Sequence, residues 1–457
     1  MTTFEVTHTS GGARRGLLRL PGGLVVETPC LLGHTQRGAP LHLTPDILAS
    51  LPSEAKLLGV APLAFGGGDA SVVSAAGGLS PFAGLPGCVL VAVPRTPRCF
   101  DGGASKPNDA GLAVGGLGGA RRVTPTAYAD TLASLRCHAA VALADEPDWA
   151  EAAAEPKGGS GSGGGGTKRL CTANGRSARW LAELSLAFAA RPELAETTGL
   201  WASLGGGGQV ASRRDAAVSA LDAHDAASIS TNCGAAGVPL AGVSLAGLHC
   251  GEAPADRRAL IAASLSPLLL RPPSPRAAPR RAAPPLHLLP RHVSGCAAPH
   301  EVLAAAGGGC DVFDGSHAHG ATLAGCALVF DLRPPSAPLC ADAAPPERRG
   351  AGDGSDGFRL PLRSPCFARD ARPILPGCPC VACARPHSRA YLHHLLACHE
   401  MLADVLLDAH NVTHMARFTQ ALRDAIAADT FDAFAAFHAS AAKRRREDAA
   451  AVCAAED

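Results

Sequence analysis

Short apolar runs alternate along this chain with segments whose apolar residues recur every three to four positions. Residues 89–93, 139–143, 242–245 and 327–330 are compact Val-, Leu- and Ala-rich runs, the pattern of strands buried on both faces. Residues 125–135, 177–190, 213–224 and 255–264 carry the helical period, and Thr124 before Pro125 supplies an N-cap followed by a first-turn proline. Strand and helix alternate over roughly 300 residues, which predicts a parallel α/β fold. A (β/α)8 barrel fits that size, and so does an open doubly wound sheet; the pattern does not separate them.

Towards the end, residues 388–409 predict a helix whose apolar stripes run through Tyr391, Leu392, Leu395 and Leu396, then Met401, Leu402, Val405 and Leu406. Met415, Phe418, Leu422 and Ile426 keep the same spacing, as do Phe431, Phe434 and Phe437, and all are expected to be packing residues. Four stretches break the pattern: residues near 151–168, where 157–166 reads KGGSGSGGGG; the Pro/Arg-rich 271–285; the proline-punctuated 333–357; and the tail 441–457 with its basic run Lys443–Arg446. Each carries too little apolar surface to offset the entropy of ordering and is expected to be a solvated insertion or tail.

Composition changes the picture only at a few points. Of 457 residues, 47% are hydrophobic and 18% charged, enough for a large core. The net charge is +1, so any contact with nucleic acid has to come from a local patch. Only five of the 41 basic residues are Lys, a skew that, with the abundant Ala, Gly and Pro, reads as genome base composition. The first residues carry neither the charged nor the apolar region of a secretory signal, and the longest apolar stretches, such as 260–270, fall short of the ~18 residues of a membrane span. Seventeen cysteines, an odd number scattered through such a chain, read as reduced thiols in a soluble intracellular protein.

One cysteine cluster is different. Gly377-Cys378-Pro-Cys380-Val-Ala-Cys383 brings three thiols into a Gly/Pro turn, and a tetrahedral zinc ion needs one more N or S ligand. The downstream candidates are His387, His393, His394, Cys398, His399, His410 and His414. In one straight helix from Ser388, His410 would lie about 33 Å away at 1.5 Å per residue. For His410 to serve, the chain must turn back, near 397–400; His393 and His394 need no such turn.

The stretch from Cys378 through His387-Ser-Arg-Ala-Tyr-Leu-His-His-Leu to Ala409-His410-Asn411 resembles the zinc region of tRNA-guanine transglycosylases. The resemblance implies Cys378, Cys380, Cys383 and His410 as ligands of one structural zinc ion, with one extra residue between Cys383 and Ser388. It extends over most of the chain. Arg15-Gly16 and Thr28–Thr35 are similar to the family's opening strand and loop, Ser294–Leu303 and Gly309–Asp314 to its Gly, Pro-x-x-Leu, Gly-x-Asp-x-Phe-Asp segment, and Gly247–Glu252 to its base-pocket loop. The implied architecture is an α/β fold: an irregular (β/α)8 TIM barrel over 1–375, a zinc-binding subdomain with C-terminal helices over 376–440, and a disordered tail.

Base exchange at a ribose needs a carboxylate nucleophile, a second acid/base group and polar contacts that read the purine. The resemblance puts Asp314 at the nucleophile position, but Gly315-Ser-His-Ala-His-Gly320 follows it in place of the family's Pro-Thr-Arg. The stretch 85–96, where the family carries its second carboxylate, is free of acids. Gly205 stands where the base-reading Gln would be, with Gln209 four residues on, and Asp145-Glu146 resembles the purine-contacting pair. Such losses are similar to those of the family's non-catalytic subunits. They imply no catalytic residues here and a heterodimer with a catalytic queuine tRNA-ribosyltransferase subunit, which exchanges guanine for queuine at the tRNA wobble position while this chain helps hold the tRNA. They also imply an interface built in part by residues 391–407, and a cytosolic location, peripheral on the mitochondrial outer membrane. A diverged active enzyme using Asp314 and a zinc-stapled protein-binding scaffold are the other readings. Arg359, Arg363, Arg369, Arg372, Arg385 and Arg389 surround the zinc turn and are candidates for phosphate contact.

Overall fold

The structure, a computed structural model, describes residues 2–94, 107–115, 119, 121–147, 165–230, 238–248, 254–271, 285–332, 358–385 and 387–439. Most of the expected insertions, the tail with Lys443–Arg446, and residues 249–252 of the base-pocket loop lie outside the described residues. The end of the first expected insertion does not: its residues 165–168 form the start of a helix.

Eight parallel strands close into a barrel in chain order: β4 (Cys30–His34), β5 (Leu57–Val60), β6 (Val89–Ala92), β9 (Ala139–Val141), β10 (Gly199–Leu204), β11 (Gly242–Leu245), β12 (Arg291–Val293) and β13 (Val312–Asp314). An antiparallel sheet of β1 (Thr3–Ser10), β2 (Ala13–Arg19) and β3 (Val25–Thr28) precedes it, and the hairpin of β7 (Leu112–Val114) and β8 (Arg121–Val123) interrupts it after β6. Helices follow the strands: α1 (Pro45–Ser50), α2 (Gly67–Ala75) with α3 (Leu79–Phe82), α4 (Pro125–Leu135), α5 (Gly165–Ala189) with α6 (Pro192–Thr197), α7 (Val210–Ser230), α8 (Pro254–Leu270), α9 (Pro299–Gly307) and α10 (Ser316–Leu323). The barrel, not the open sheet, is the fold. Thr124 caps α4 as its sequence position predicts, its side chain accepting from the Ala127 N–H at 3.2 Å.

Alternation along the strands sorts the core. Leu32, Leu57, Val89, Val91, Val141, Trp201 and Val312 form the lumen cluster, while Leu31, Leu58, Leu90, Val243, Val293 and Phe313 pack outward with the helices. Leu18 and Leu20 join the lumen cluster, so the N-terminal sheet plugs the barrel where the strands begin. There Arg14 of β2 pairs with the fully buried Asp311 just before β13 and donates to the carbonyls of His287 and Leu289 at 3.1 and 3.0 Å. Gly242 has to lack a side chain, because a Cβ there would lie 2.6 Å from the Trp201 indole.

After α10 the chain leaves the barrel. β14 (Cys326–Leu328) and β15 (Arg359–Pro361) pair antiparallel, so only the first half of the apolar run at 327–330 is strand, and it lies outside the barrel. Then come α11 (Val381–Ala384), α12 (Arg389–Ala397) and the 27-residue α13 (Met401–Ala427). A second core joins Ala327, Leu360, Leu362, Phe367 and Ile374 to Leu392, Leu396, Leu406 and Leu407, so the subdomain draws on residues upstream of position 376. Farther along α13, Met415, Phe418, Leu422 and Ile426 belong to the main core. One helix thus serves both.

Polar groups inside the lumen make the fold sensitive to acid. His292 is fully buried, shares a 2.8 Å hydrogen bond with Ser244, and is pushed down by burial to a pKa of about 4. An unfolded histidine titrates near ~6.5, so this neutral ring's contribution is complete above that pH and is lost as pH falls towards 4. Urea unfolding of His292→Gln against the parent at pH 7, 6 and 5 is expected to show the parent losing up to about 1.4 kcal/mol more per pH unit below 6.5.

Candidate metal centre and barrel mouth

Local chain geometry converges three thiols. Gly377 sits at φ 73°, which turns the chain into Cys378. Cys380 then takes the extended N-cap conformation of α11, whose single turn swings Cys383 back beside the other two. The Sγ atoms of Cys378, Cys380 and Cys383 lie 3.7, 3.5 and 3.4 Å from Nδ1 of His410, which is fully buried. Sulfur and nitrogen bound at ~2.3 and ~2.1 Å to one tetrahedral ion would stand about 3.6 Å apart, so this donor set fits zinc. Nε2 of His410 is 2.8 Å from the Leu328 carbonyl, a bond that puts the proton on Nε2 and leaves the Nδ1 lone pair facing the sulfurs.

The turn that His410 requires is present. The predicted helix 388–409 is two helices, α12 ending at Ala397 and α13 starting at Met401, with His399 at φ 57° between them. The other candidates are engaged elsewhere: His393 bonds the Leu362 carbonyl at 2.9 Å, His387 stacks on Tyr391, and His394 lies beside the exposed Cys398. His414 is buried against the edge of Phe330, with a pKa pushed down to about 3 by burial. Asn411 completes the anchor, accepting from the Leu328 N–H at 2.8 Å and donating to the Cys326 carbonyl and Thr322 hydroxyl, each at 3.0 Å. Of the six arginines near the turn, Arg372 and Arg389 hold Asp370, whereas Arg359, Arg363, Arg369 and Arg385 are exposed, Arg363 donating to the Leu396 carbonyl at 3.4 Å.

At the barrel mouth, the carboxyl ends of the strands, the acids among the described residues are engaged by groups of the chain itself. Asp314 ends β13, and its Oδ1 accepts from the Ser316 N–H two residues on at 2.8 Å, an Asx-turn contact that leads the chain into α10. β6 ends at Ala92, and residues 85–94 offer no acid. Asp145 follows β9 and is buried; Arg169 of α5 grips it bidentately at 2.7 and 2.9 Å and Arg176 pairs with it from two turns farther along the same helix. Glu146 accepts from the Gly247 N–H at 2.9 Å. Gly205 lies at the end of β10, and Gln209 is exposed just before α7. Arg213 of α7, fully buried, donates to the carbonyls of Gly207, Ala246 and Gly247 at 2.6, 2.8 and 2.9 Å, tying the loops after β10 and β11 together. The sequence reading passed over all three arginines. The seven-residue spacing of Arg169 and Arg176 was a readable signal of a shared helix face; Arg213 gave none.

A closed eight-stranded (β/α)8 barrel with an appended Cys3His cluster that can hold a metal ion defines the class of this protein. The model of the family described as queuine tRNA-ribosyltransferase matches residues 9–444, and the chain belongs to that family. It is 27% identical over 442 residues to the queuine tRNA-ribosyltransferase accessory subunit 2 of Xenopus tropicalis, covering 93% of this chain and 95% of the relative. The human accessory subunit 2 is 35% identical over 155 residues, 31% of this chain and 37% of that protein. A queuine tRNA-ribosyltransferase of Thermosynechococcus vestitus is 34% identical over 212 residues, 46% of this chain and 44% of its own length.

Metal analysis of the purified chain is expected to give one ion per molecule, lost in Cys380→Ser and in His410→Ala and retained in His393→Ala and His394→Ala. Stripping the ion with a chelator lowers the unfolding midpoint, because binding free energy at such a site is folding free energy.

Proposed function

We propose that this chain is the non-catalytic subunit of a heterodimeric queuine tRNA-ribosyltransferase. Its catalytic partner would exchange guanine for queuine at the tRNA wobble position, and this chain would help hold the partner and the tRNA. The observation that carries the reading is the closure of Asp145 by Arg169 and Arg176: the acid after β9 faces two guanidinium groups of its own chain. With Glu146 on a backbone N–H and no acid in 85–94, base exchange would lack both a purine reader and a second carboxylate.

Zinc is the ion assigned to Cys378, Cys380, Cys383 and His410, and its role is structural, since four protein ligands leave no position for water or substrate. Exposed Tyr391, Met401 and Leu402 on α12 and α13 support a partner interface there, Met401 being 82% exposed. Exposed Arg359, Arg363, Arg369 and Arg385 are the residues assigned to phosphate contact. Among the described residues no helix is long and apolar enough to cross a membrane, so association with the cytosolic face of the mitochondrial outer membrane would be peripheral.

A second reading, a diverged active enzyme, is favoured by Asp314, which stands at the carboxyl end of a barrel strand where family nucleophiles stand. A tRNA base-exchange assay with the chain alone, the partner alone and both together separates the two. The proposal expects turnover only with both, unchanged by Asp314→Asn. Turnover by this chain alone, abolished by Asp314→Asn, establishes the second reading instead. Full activity of the partner alone, with no crosslink from this chain to tRNA, leaves only a protein-binding scaffold.

A further inference from the structure

The turn between α12 and α13 carries a second set of nitrogen and sulfur donors. Residues 397–402 are exposed one after another, Cys398 among them, and His394 on the last turn of α12 is exposed as well. The Cys398 N–H donates to the His394 carbonyl at 3.0 Å, so the helical turn carries on through position 398. Residues four apart on one helix share a face. The Cys398 Sγ accordingly lies 3.8 and 3.9 Å from the two ring nitrogens of His394.

Those separations are close to the about 3.6 Å between a sulfur and a nitrogen bound to one tetrahedral ion. They are also close to the 3.4 to 3.7 Å inside the Cys3His cluster. A histidine and a cysteine one helical turn apart hold both donors in place before an ion arrives, as the paired histidines of helical zinc sites do. Thiolate with imidazole is the donor set of zinc and its thiophilic neighbours; magnesium and calcium take oxygen. Met401 and His410 are nine residues apart on α13, about 14 Å at 1.5 Å per residue, so the exposed pair is separate from the buried cluster.

We propose that His394 and Cys398 form a second metal site, an exposed two-ligand chelate for Zn2+ or a similar thiophilic divalent ion. Two protein ligands leave two tetrahedral positions for water or for a donor from outside the chain. An ion held in this way exchanges readily, whereas four ligands retain theirs. Dialysis therefore empties the exposed pair and leaves the purified chain with one ion per molecule. Both donors belong to this chain, so the site and its test are independent of the proposed pairing with a catalytic partner.

The test uses the full chain, zinc-loaded and dialysed, in a phosphine reductant that keeps its thiols free, titrated with Co2+ as probe. The expected result is a sulfur-to-cobalt charge-transfer band that saturates at one Co2+ per chain while the cluster keeps its zinc. Zn2+ added afterwards displaces the cobalt, since thiolate ligands select zinc. Cys398→Ser removes the band and His394→Ala weakens Co2+ binding at least about tenfold. Cys366→Ser, which removes another exposed thiol, changes neither. No band on the parent chain, a band untouched by Cys398→Ser, or affinity unaltered in His394→Ala overturns the proposal. So does loss of the band in Cys366→Ser, or release of zinc from the cluster matching the cobalt taken up.

Discussion

The imidazole of His410 is the joint on which the rest depends. One of its nitrogens faces three cysteine sulfurs and the other holds the Leu328 carbonyl. The Cys turn, the β14–β15 hairpin and α13 therefore meet at one ring. Asn411, the next residue, repeats the tie on the neighbouring backbone groups of β14. From this joint α13 runs on into the main core, where Phe418 and Ile426 pack and buried Arg423 donates to the Pro29 carbonyl at 3.0 Å. The metal cluster is thereby coupled to the first barrel strand through one helix, and a loosened cluster would loosen that helix's grip on the barrel.

At the other functional end of the molecule, strand ends that could carry chemistry carry internal bonds instead. Asp314 makes the turn into a helix, Asp145 is held by two arginines, Glu146 holds the loop after β11, and Arg213 stitches that loop to the one after β10. A buried carboxylate paired with two guanidinium groups is stable only while the pairs stay intact. Opening that mouth to a purine would uncover charges that the fold has matched to each other. On the proposed reading, losing the reactive pocket is a change in hydrogen-bond partners with the barrel frame kept.

Much of this was legible in the sequence, for identifiable reasons. Strands such as 89–93 and 139–143 are apolar on both faces and can be read directly, and the cap at Thr124 is local chemistry. The three cysteines are close in sequence, so their convergence needed only a short turn. The fourth ligand was not local: choosing among seven candidates required knowing that the helix breaks at 398–400, where His399 adopts a left-handed conformation that periodicity does not reveal. The resemblance supplied His410; spacing did not. For Asp145 the sequence offers only the resemblance to a purine contact, because its arginines lie 24 and 31 residues farther on, across an insertion. The helix holding them was anticipated only from position 177, since its first half, 165–176, is rich in polar residues and glycine.

Equilibrium dialysis of the metal-loaded chain, without a partner, against labelled guanine probes the closed mouth most directly. If Arg169 and Arg176 occupy the acid that would read the base, no saturable binding is detected below millimolar guanine. Micromolar binding that disappears in Asp145→Asn would show that the mouth still receives a purine, and would contradict the account.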